Sequence, residues 1–216
     1  MFINYLQLIR ETFSHKSTKY FFMFLCFLCL LWLILALMEG FRYQPELIEP
    51  AFEDALVAQL RELPFREFEF HGYKGKRRVV SFGWKYEFAG GGQLHKAEEI
   101  PEFLIPLKSI AASFARMEPD AFQHVLVTEY GPGAGIGWHR DKAVFGEVVG
   151  VSLLAPCTLR FRRKMNGKWE RVNVLAGPRS AYHLTGPARS EWQHSILRVD
   201  ALRYSITFRT MRSSIT

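Results

Sequence analysis

In Trp138-His139-Arg140-Asp141 a histidine and an aspartate stand two residues apart. In extended backbone both side chains leave the same face and can converge on one ion. A lone H-x-D is common by chance and by itself reads as a surface pair. His194, on a later predicted strand, supplies a third donor and changes the reading. Two histidines and one carboxylate leave three coordination positions open, which a non-haem Fe(II) oxygenase needs for a bidentate cosubstrate and O2.

A second set of residues points to an anion. Along Arg203-Tyr204-Ser205-Ile206-Thr207-Phe208-Arg209 the strand period of two sends Arg203, Ser205, Thr207 and Arg209 to one face and Tyr204, Ile206 and Phe208 to the other. Two guanidiniums on an inward face are costly unless an anion pairs with them, and a dicarboxylate meets that need. The alternative is that this face is open to solvent.

The elements that would position these groups follow from hydrophobic period. Phe52 to Leu63 and Pro101 to Met117 carry apolar residues at helical spacing and are predicted to pack on a sheet. Lys74 to Phe88 alternates, is rich in aromatic and β-branched residues, and ends in Gly90-Gly91-Gly92, so it is predicted to be a hairpin with a flexible exit. From Gln123 onward the pattern is short strands, at 123–130, 147–154, 157–162, 169–175, 179–184, 193–199 and 203–209, with Asn166-Gly167 as a type I′ turn. The expected fold is α+β and mainly β, a double-stranded β-helix (jelly roll) with flanking N-terminal helices.

The N-terminal part differs in character. Tyr20 to Met38 carries no charge and is long enough to span a bilayer. Arg10, Lys16 and Lys19 before it place the short N-terminus on the cytoplasmic side. That orientation would face the rest of the chain outward, away from the cell interior where ferrous iron is abundant. The alternatives are an anchor of unusual orientation, an uncleaved signal, or a native start at Met38 with residues 1–37 as upstream sequence. The expected organisation is therefore a hydrophobic segment at 1–37 and a catalytic domain at 38–216, monomeric, cytoplasmic, and membrane-anchored if the segment is native.

Composition bounds the rest. An apolar fraction of 49% supports a real core. The net charge of +7, with pI about 9.4, fits phosphate contacts and fits plain solubility equally. Three cysteines cannot form a disulfide framework. Cys26 and Cys29 sit in the apolar run and read as filler, and Cys157 reads as a small buried hydrophobe.

Thr128-Glu129-Tyr130, His139-x-Asp141, His194 and R-Y-S-I-T-F-R at 203–209, in that order, resemble the AlkB family of 2-oxoglutarate dioxygenases over roughly residues 40–212. The resemblance implies Fe(II) held by His139, Asp141 and His194 as the catalytic centre. It implies 2-oxoglutarate held by Arg203 at its far carboxylate, by Tyr130 through a hydrogen bond, and by Arg209 near its chelating end. Thr128 and Ser205 stand where asparagine is common in the family and complete the cosubstrate set with shorter side chains. With O2 as oxidant, the implied reaction decarboxylates 2-oxoglutarate to succinate and hydroxylates a C–H bond. On an N-methyl group the product releases formaldehyde.

The implied substrate is alkylated DNA or RNA. Arg77 to Phe88 occupies the place of the family's nucleotide-recognition lid, and Phe82, Trp84 and Tyr86 beside Lys74, Lys76, Arg77, Arg78 and Lys85 suit a flipped base over a phosphate backbone, with Arg78 as the expected substrate contact. Arg140, between two metal ligands, is expected to face the same pocket, and Arg189 and Trp192 its mouth. His183 is expected to pack structurally. Base-repair members carry an acidic residue shortly after H-x-D, whereas Lys142 and Ala143 follow here. The stretch from Arg179 to His194 also looks like members acting on RNA or protein. A protein side chain or small molecule is the alternative substrate, and a catalytically silent binding module tethered to membrane is the third reading.

Overall fold

The computed structural model describes residues 38–70, 73–87, 93–96 and 98–212. Contacts divide the chain between Glu39 and Gly40. The unit from Gly40 holds the fold described below. The candidate span, up to its last residue, lies outside the described residues, among which no helix is long and apolar enough to cross a membrane.

The strands are β1 (Phe41–Gln44), β2 (Arg66–Phe70), β3 (Tyr73–Glu87), β4 (Gln93–Lys96), β5 (Phe122–Tyr130), β6 (Ile136–His139), β7 (Phe145–Leu153), β8 (Cys157–Met165), β9 (Lys168–Ala176), β10 (Ala181–Leu184), β11 (Gln193–Ile196) and β12 (Arg203–Met211). The helices are α1 (Pro50–Leu60), α2 (Ile105–Ala115) and α3 (Gly186–Ser190). One sheet runs β1-β10-β7-β12-β5-β3-β2 with β4 on β3, and the other runs β6-β11-β8-β9. The four strands β10-β7-β12-β5 face the four of the smaller sheet as a jelly roll.

Helices α1 and α2 open with proline in the first turn, where the missing N–H costs nothing. They pack Leu56, Val57, Leu60, Leu107, Ala111 and Ala112 against Phe82, Val125, Val127, Val151, Tyr204, Ile206 and Phe208 of the larger sheet. The period of β12 thus divides as its sequence requires: Tyr204, Ile206 and Phe208 face the helices, and Arg203, Ser205, Thr207 and Arg209 take the other side. That side is the interior of the roll, and it is buried as well.

Two part-buried polar links tie α1 to the segment ends beside β7 and β10. Glu53 accepts from the Leu154 amide at 2.7 Å and from Arg179 Nη1 at 3.1 Å. Leu154 has φ of +70°, a conformation unfavourable for a branched L residue, and the Glu53 contact holds its amide in place.

The predicted hairpin at 74–88 is a single strand. β3 pairs in turn with β2, with β5 over Arg77–Gly83, and with β4 over Trp84–Glu87. Gly83, at φ +80°, bends it without reversing it, and a Cβ there would lie 2.1 Å from the Gln123 carbonyl oxygen. The strand at β6 escaped the sequence reading because four residues between glycine-rich and charged segments show no usable period. The Asn166-Gly167 turn is as expected, both residues at positive φ and Met165 paired with Lys168.

Candidate metal and cosubstrate site

β6 and β11 are antiparallel neighbours, and their register sets His139 directly opposite His194. Cross-strand pairs of this kind bring side chains into contact, and here the ring centroids are 4.2 Å apart. Asp141 follows His139 past the end of β6. The donor atoms of His139, Asp141 and His194 all lie within 4.8 Å of one another, so the three could hold a metal ion.

The tautomer of His139 follows from its partner. Its Nδ1 lies 2.9 Å from the Gly137 carbonyl oxygen, which can only accept, so Nδ1 carries the proton and Nε2 keeps its lone pair for a metal. Burial lowers the pKa of both histidines, that of His194 to about 3. Burial would raise the Asp141 carboxyl, but Arg209, His194 and His139 outweigh it and hold it well below the usual carboxylate range. At neutral pH the set is two neutral imidazoles and one carboxylate, the protonation state that a divalent metal needs.

Arginines fix the carboxylate and its loop. Arg209 Nη2 donates to Asp141 Oδ1 at 3.1 Å. Arg189 is buried on α3 and donates to the carbonyls of Gly146, Lys142 and Phe145 at 2.7–2.8 Å and of Asp141 at 3.3 Å. It therefore clamps the loop that carries Asp141 and does not line a mouth, as the sequence suggested it would. Trp192 is likewise buried, with the Arg163 guanidinium 4.8 Å from its ring centroid. Replacing Arg189 with methionine leaves those carbonyls unbonded, and urea unfolding should show a loss of about 1–3 kcal/mol.

Arg203 is fully buried. Its Nε donates to Ser152 Oγ at 3.0 Å and its guanidinium lies 5.0 Å from the centroid of the Tyr130 ring. Nη1 and Nη2 are buried without a hydrogen-bond partner. A buried cation with two idle donors calls for an anion that can take both, and a carboxylate has that geometry. Around it, Ser205 is in register with Thr128 on one side and Ser152 on the other, and Arg203 with Tyr130. Tyr182, opposite Gly150, adds a further phenol to this floor, and its ring fills the space where a Gly150 side chain would be. These residues fit a dicarboxylate gripped at one end by Arg203.

The structure brings together inside the roll His139, Asp141, His194, Arg203, Arg209, Tyr130, Ser205 and Thr128. It does not bring the expected substrate set to them. Phe82 is 3% exposed in the core under the helices, because even positions of β3 in this stretch face α1 and α2. Arg78 shares that side, 2.7 Å from Glu129, with its guanidinium 5.7 Å from the Phe65 ring centroid. Arg77, one position earlier, is the basic residue in register with Tyr130 on the inner face, and its charge helps to lower the His139 pKa. Trp84 is half-buried beyond the Gly83 bend and pairs with Lys96. The Tyr86 side chain lies outside the described residues. Arg140 is exposed and donates to the Ser190 carbonyl at 3.2 Å. His183 packs structurally as expected, donating from Nε2 to Glu147 at 2.6 Å.

Ser152, Tyr182 and His124 were missed. His124 lies in register with Arg209, and its pKa is pushed down to about 2, chiefly by burial and then by Arg209. The even positions of β5 already carried Thr128 and Tyr130, so the same period could have found it. Acid should therefore destabilise the metal-free protein. His124 and His194 take up protons near pH 6.5 when unfolded but stay neutral in the fold until about pH 2 and 3. Stability is then highest above pH 6.5 and falls progressively as the pH drops below it. Denaturation of chelator-treated protein at pH 7 and pH 5 checks the sign.

A jelly roll whose interior joins two histidines and a carboxylate to a buried, anion-seeking arginine has the makings of a non-haem iron oxygenase. The profile of the 2OG-Fe(II) oxygenase superfamily matches residues 40–216, and the chain belongs to that family. It is an Fe(II)- and 2-oxoglutarate-dependent dioxygenase that uses O2. The structure of OsALKBH1 is similar at a TM-score of 0.57 and 16% identity, covering 79% of this chain and 98% of that one. A Pseudomonas putida prolyl-4-hydroxylase is similar at 0.54 and 16%, covering 86% and 100%. Both likenesses are of fold. No curated protein matches by sequence.

Proposed function

We propose that this dioxygenase demethylates alkylated bases in DNA or RNA, with His139, Asp141 and His194 as iron ligands. The observation that carries the reading is the inner face of the strand Arg203–Arg209, where Arg203, Ser205, Thr207 and Arg209 line the interior in the AlkB-like pattern, the first arginine with two idle donors and the last on the Asp141 carboxylate.

Bound iron, with 2-oxoglutarate and O2, supplies the oxidising power that inserts one oxygen atom into a substrate C–H bond as succinate and CO2 leave. The chain supplies placement. Arg203 would hold the far carboxylate through its Nη groups, with Ser152 bonded to its Nε and the Tyr130 ring beside its guanidinium. Arg209 orients Asp141 so that one carboxylate oxygen stays available. The Gly137 carbonyl keeps the His139 proton on Nδ1. Buried walls exclude water from the reacting centre. With an N-methyl substrate, the hydroxymethyl product collapses to formaldehyde and the free base.

The compartment in which this chemistry is supported is the cell interior, and a native Tyr20–Met38 segment would add a membrane anchor, of an orientation opposite to the one its flanking charges favour. A monomer suffices, since one chain supplies every residue named. A protein side chain or small molecule is the second reading, favoured by Lys142 and Ala143 where an acidic base-reading residue would stand. Incubation with iron, 2-oxoglutarate, ascorbate and N-methylated single-stranded oligonucleotides should release formaldehyde in step with succinate. Succinate formation stimulated only by peptides or small molecules would reverse the order of the two readings.

A further inference from the structure

The two residues that flank His139 turn away from the interior, and they open onto a face that the dioxygenase chemistry does not use. Trp138 lies on the outer side of the smaller sheet, with Arg140 just past the strand end. Across that side the register sets Ser195, Arg160 and Asn173 in one row, Gln193, Arg162 and Arg171 in the next, and Lys164 opposite Trp169 in a third. The outward positions of β8 and β9 thus carry Arg160, Arg162, Lys164 and Arg171 and no acidic residue.

The guanidiniums are arranged, not merely present. Arg160 lies 4.8 Å from the Trp138 ring centroid, and Arg162 lies between two indoles, 4.4 Å from Trp138 and 4.5 Å from Trp169. Each is held at Nε, Arg160 by Ser195 Oγ at 3.0 Å and Arg162 by Gln193 Oε1 at 2.8 Å. Among the described residues, no ion pair involves Arg160, Arg162 or Arg171. Arg163, on the opposite phase of β8, has two carboxylates, Glu170 and Glu191. Carboxylates are therefore within reach of this sheet and are kept off its outer face.

We propose that this outer face binds single-stranded nucleic acid. The pinned guanidiniums offer their Nη groups to successive phosphates, and Trp169, 43% exposed, offers a stacking surface to a base. Stacked guanidinium and indole planes are a platform for unstacked bases, which a duplex does not offer. The face adjoins the strand of the first ligand, so a nucleic-acid strand lying on it passes close to the edge of the catalytic roll. The inference rests on the reading of the enzyme as acting on nucleic acid, and it adds where the rest of the strand lies.

Anisotropy of labelled, unmethylated single-stranded DNA and RNA 12-mers with the full chain tests it, at 50 and 200 mM salt. The double variant Arg162→Gln/Arg171→Gln should bind about tenfold or more weakly at low salt, and its salt slope should fall by roughly 0.7 for each phosphate that it no longer neutralises. Trp169→Ala should lose about 5- to 100-fold with the slope unchanged. Arg171 and Trp169 are exposed whereas Arg162 is half-buried, so 2-oxoglutarate affinity by calorimetry, which should match the parent, is measured on each variant as the check that the fold is intact. Undiminished affinity in the double variant, with demethylation still observed, would sink the binding face and leave the proposed activity standing. Equal weakening toward polyglutamate, with no effect of Trp169→Ala, would also sink it by reducing the face to bare charge. A parent chain with no oligonucleotide affinity and no oligonucleotide turnover would remove both ideas.

Discussion

Arg203→Met should leave a folded protein that no longer binds 2-oxoglutarate at useful concentrations. The side chain is fully buried, and two of its donors have no partner. An uncompensated buried charge destabilises the metal- and cosubstrate-free fold, so an apolar side chain of similar length should be tolerated or even stabilising. In the bound state the same two donors would meet a carboxylate. Removing one partner of a buried charge pair costs about 2–5 kcal/mol, which corresponds to roughly 30- to 5,000-fold in affinity. Lysine in its place keeps the charge but loses the planar fork, and should restore only part of the binding. Calorimetry with 2-oxoglutarate and urea unfolding of the same samples separate the two effects. A variant that is much less stable yet binds 2-oxoglutarate normally would show that Arg203 serves the fold and not the cosubstrate.

Asp141→Ala should abolish stoichiometric iron binding and with it succinate formation. The carboxylate is the one anionic donor among the three proposed ligands, and it also neutralises Arg209 at 3.1 Å. Its loss removes a ligand and leaves a cation beside the two histidines, which repels a divalent metal. Outer partners of metal ligands cost about 10- to 100-fold in affinity when removed, and the loss of the ligand itself should exceed that range. Atomic emission on the purified variant would measure iron per chain, and uncoupled 2-oxoglutarate turnover would measure the remaining activity. Arg209→Met supplies the comparison, because it keeps all three ligands and should fall inside the range for outer partners.

Both predictions concern residues legible in the sequence, and the reason is the short repeat of a strand. His139 and Asp141 sit two apart, and the arginines of β12 alternate with Tyr204, Ile206 and Phe208, so local spacing alone puts each set on one face. The mainly-β fold was legible for the same reason, down to the Asn166-Gly167 turn. Substrate contacts were not. Phe82 and Arg78 looked like a lid because aromatic and basic residues alternate there, yet the inner position belongs to Arg77. A shift of one residue moves a side chain to the other face of a sheet, and nothing within residues 74–88 says which face meets the helices.

The sequence by itself determined the shared face of His139 and Asp141, the alternation of the arginine strand and the mainly-β character, since each is a property of neighbours along the chain. Only the tertiary structure decided that His139 meets His194, that the guanidinium of Arg203 is left idle against Tyr130, and that Arg189 clamps the loop bearing Asp141. Those contacts join segments far apart in the chain. Pairing of β6 with β11 and packing of the helices on one face of the larger sheet create them, and both depend on the whole hydrophobic pattern at once.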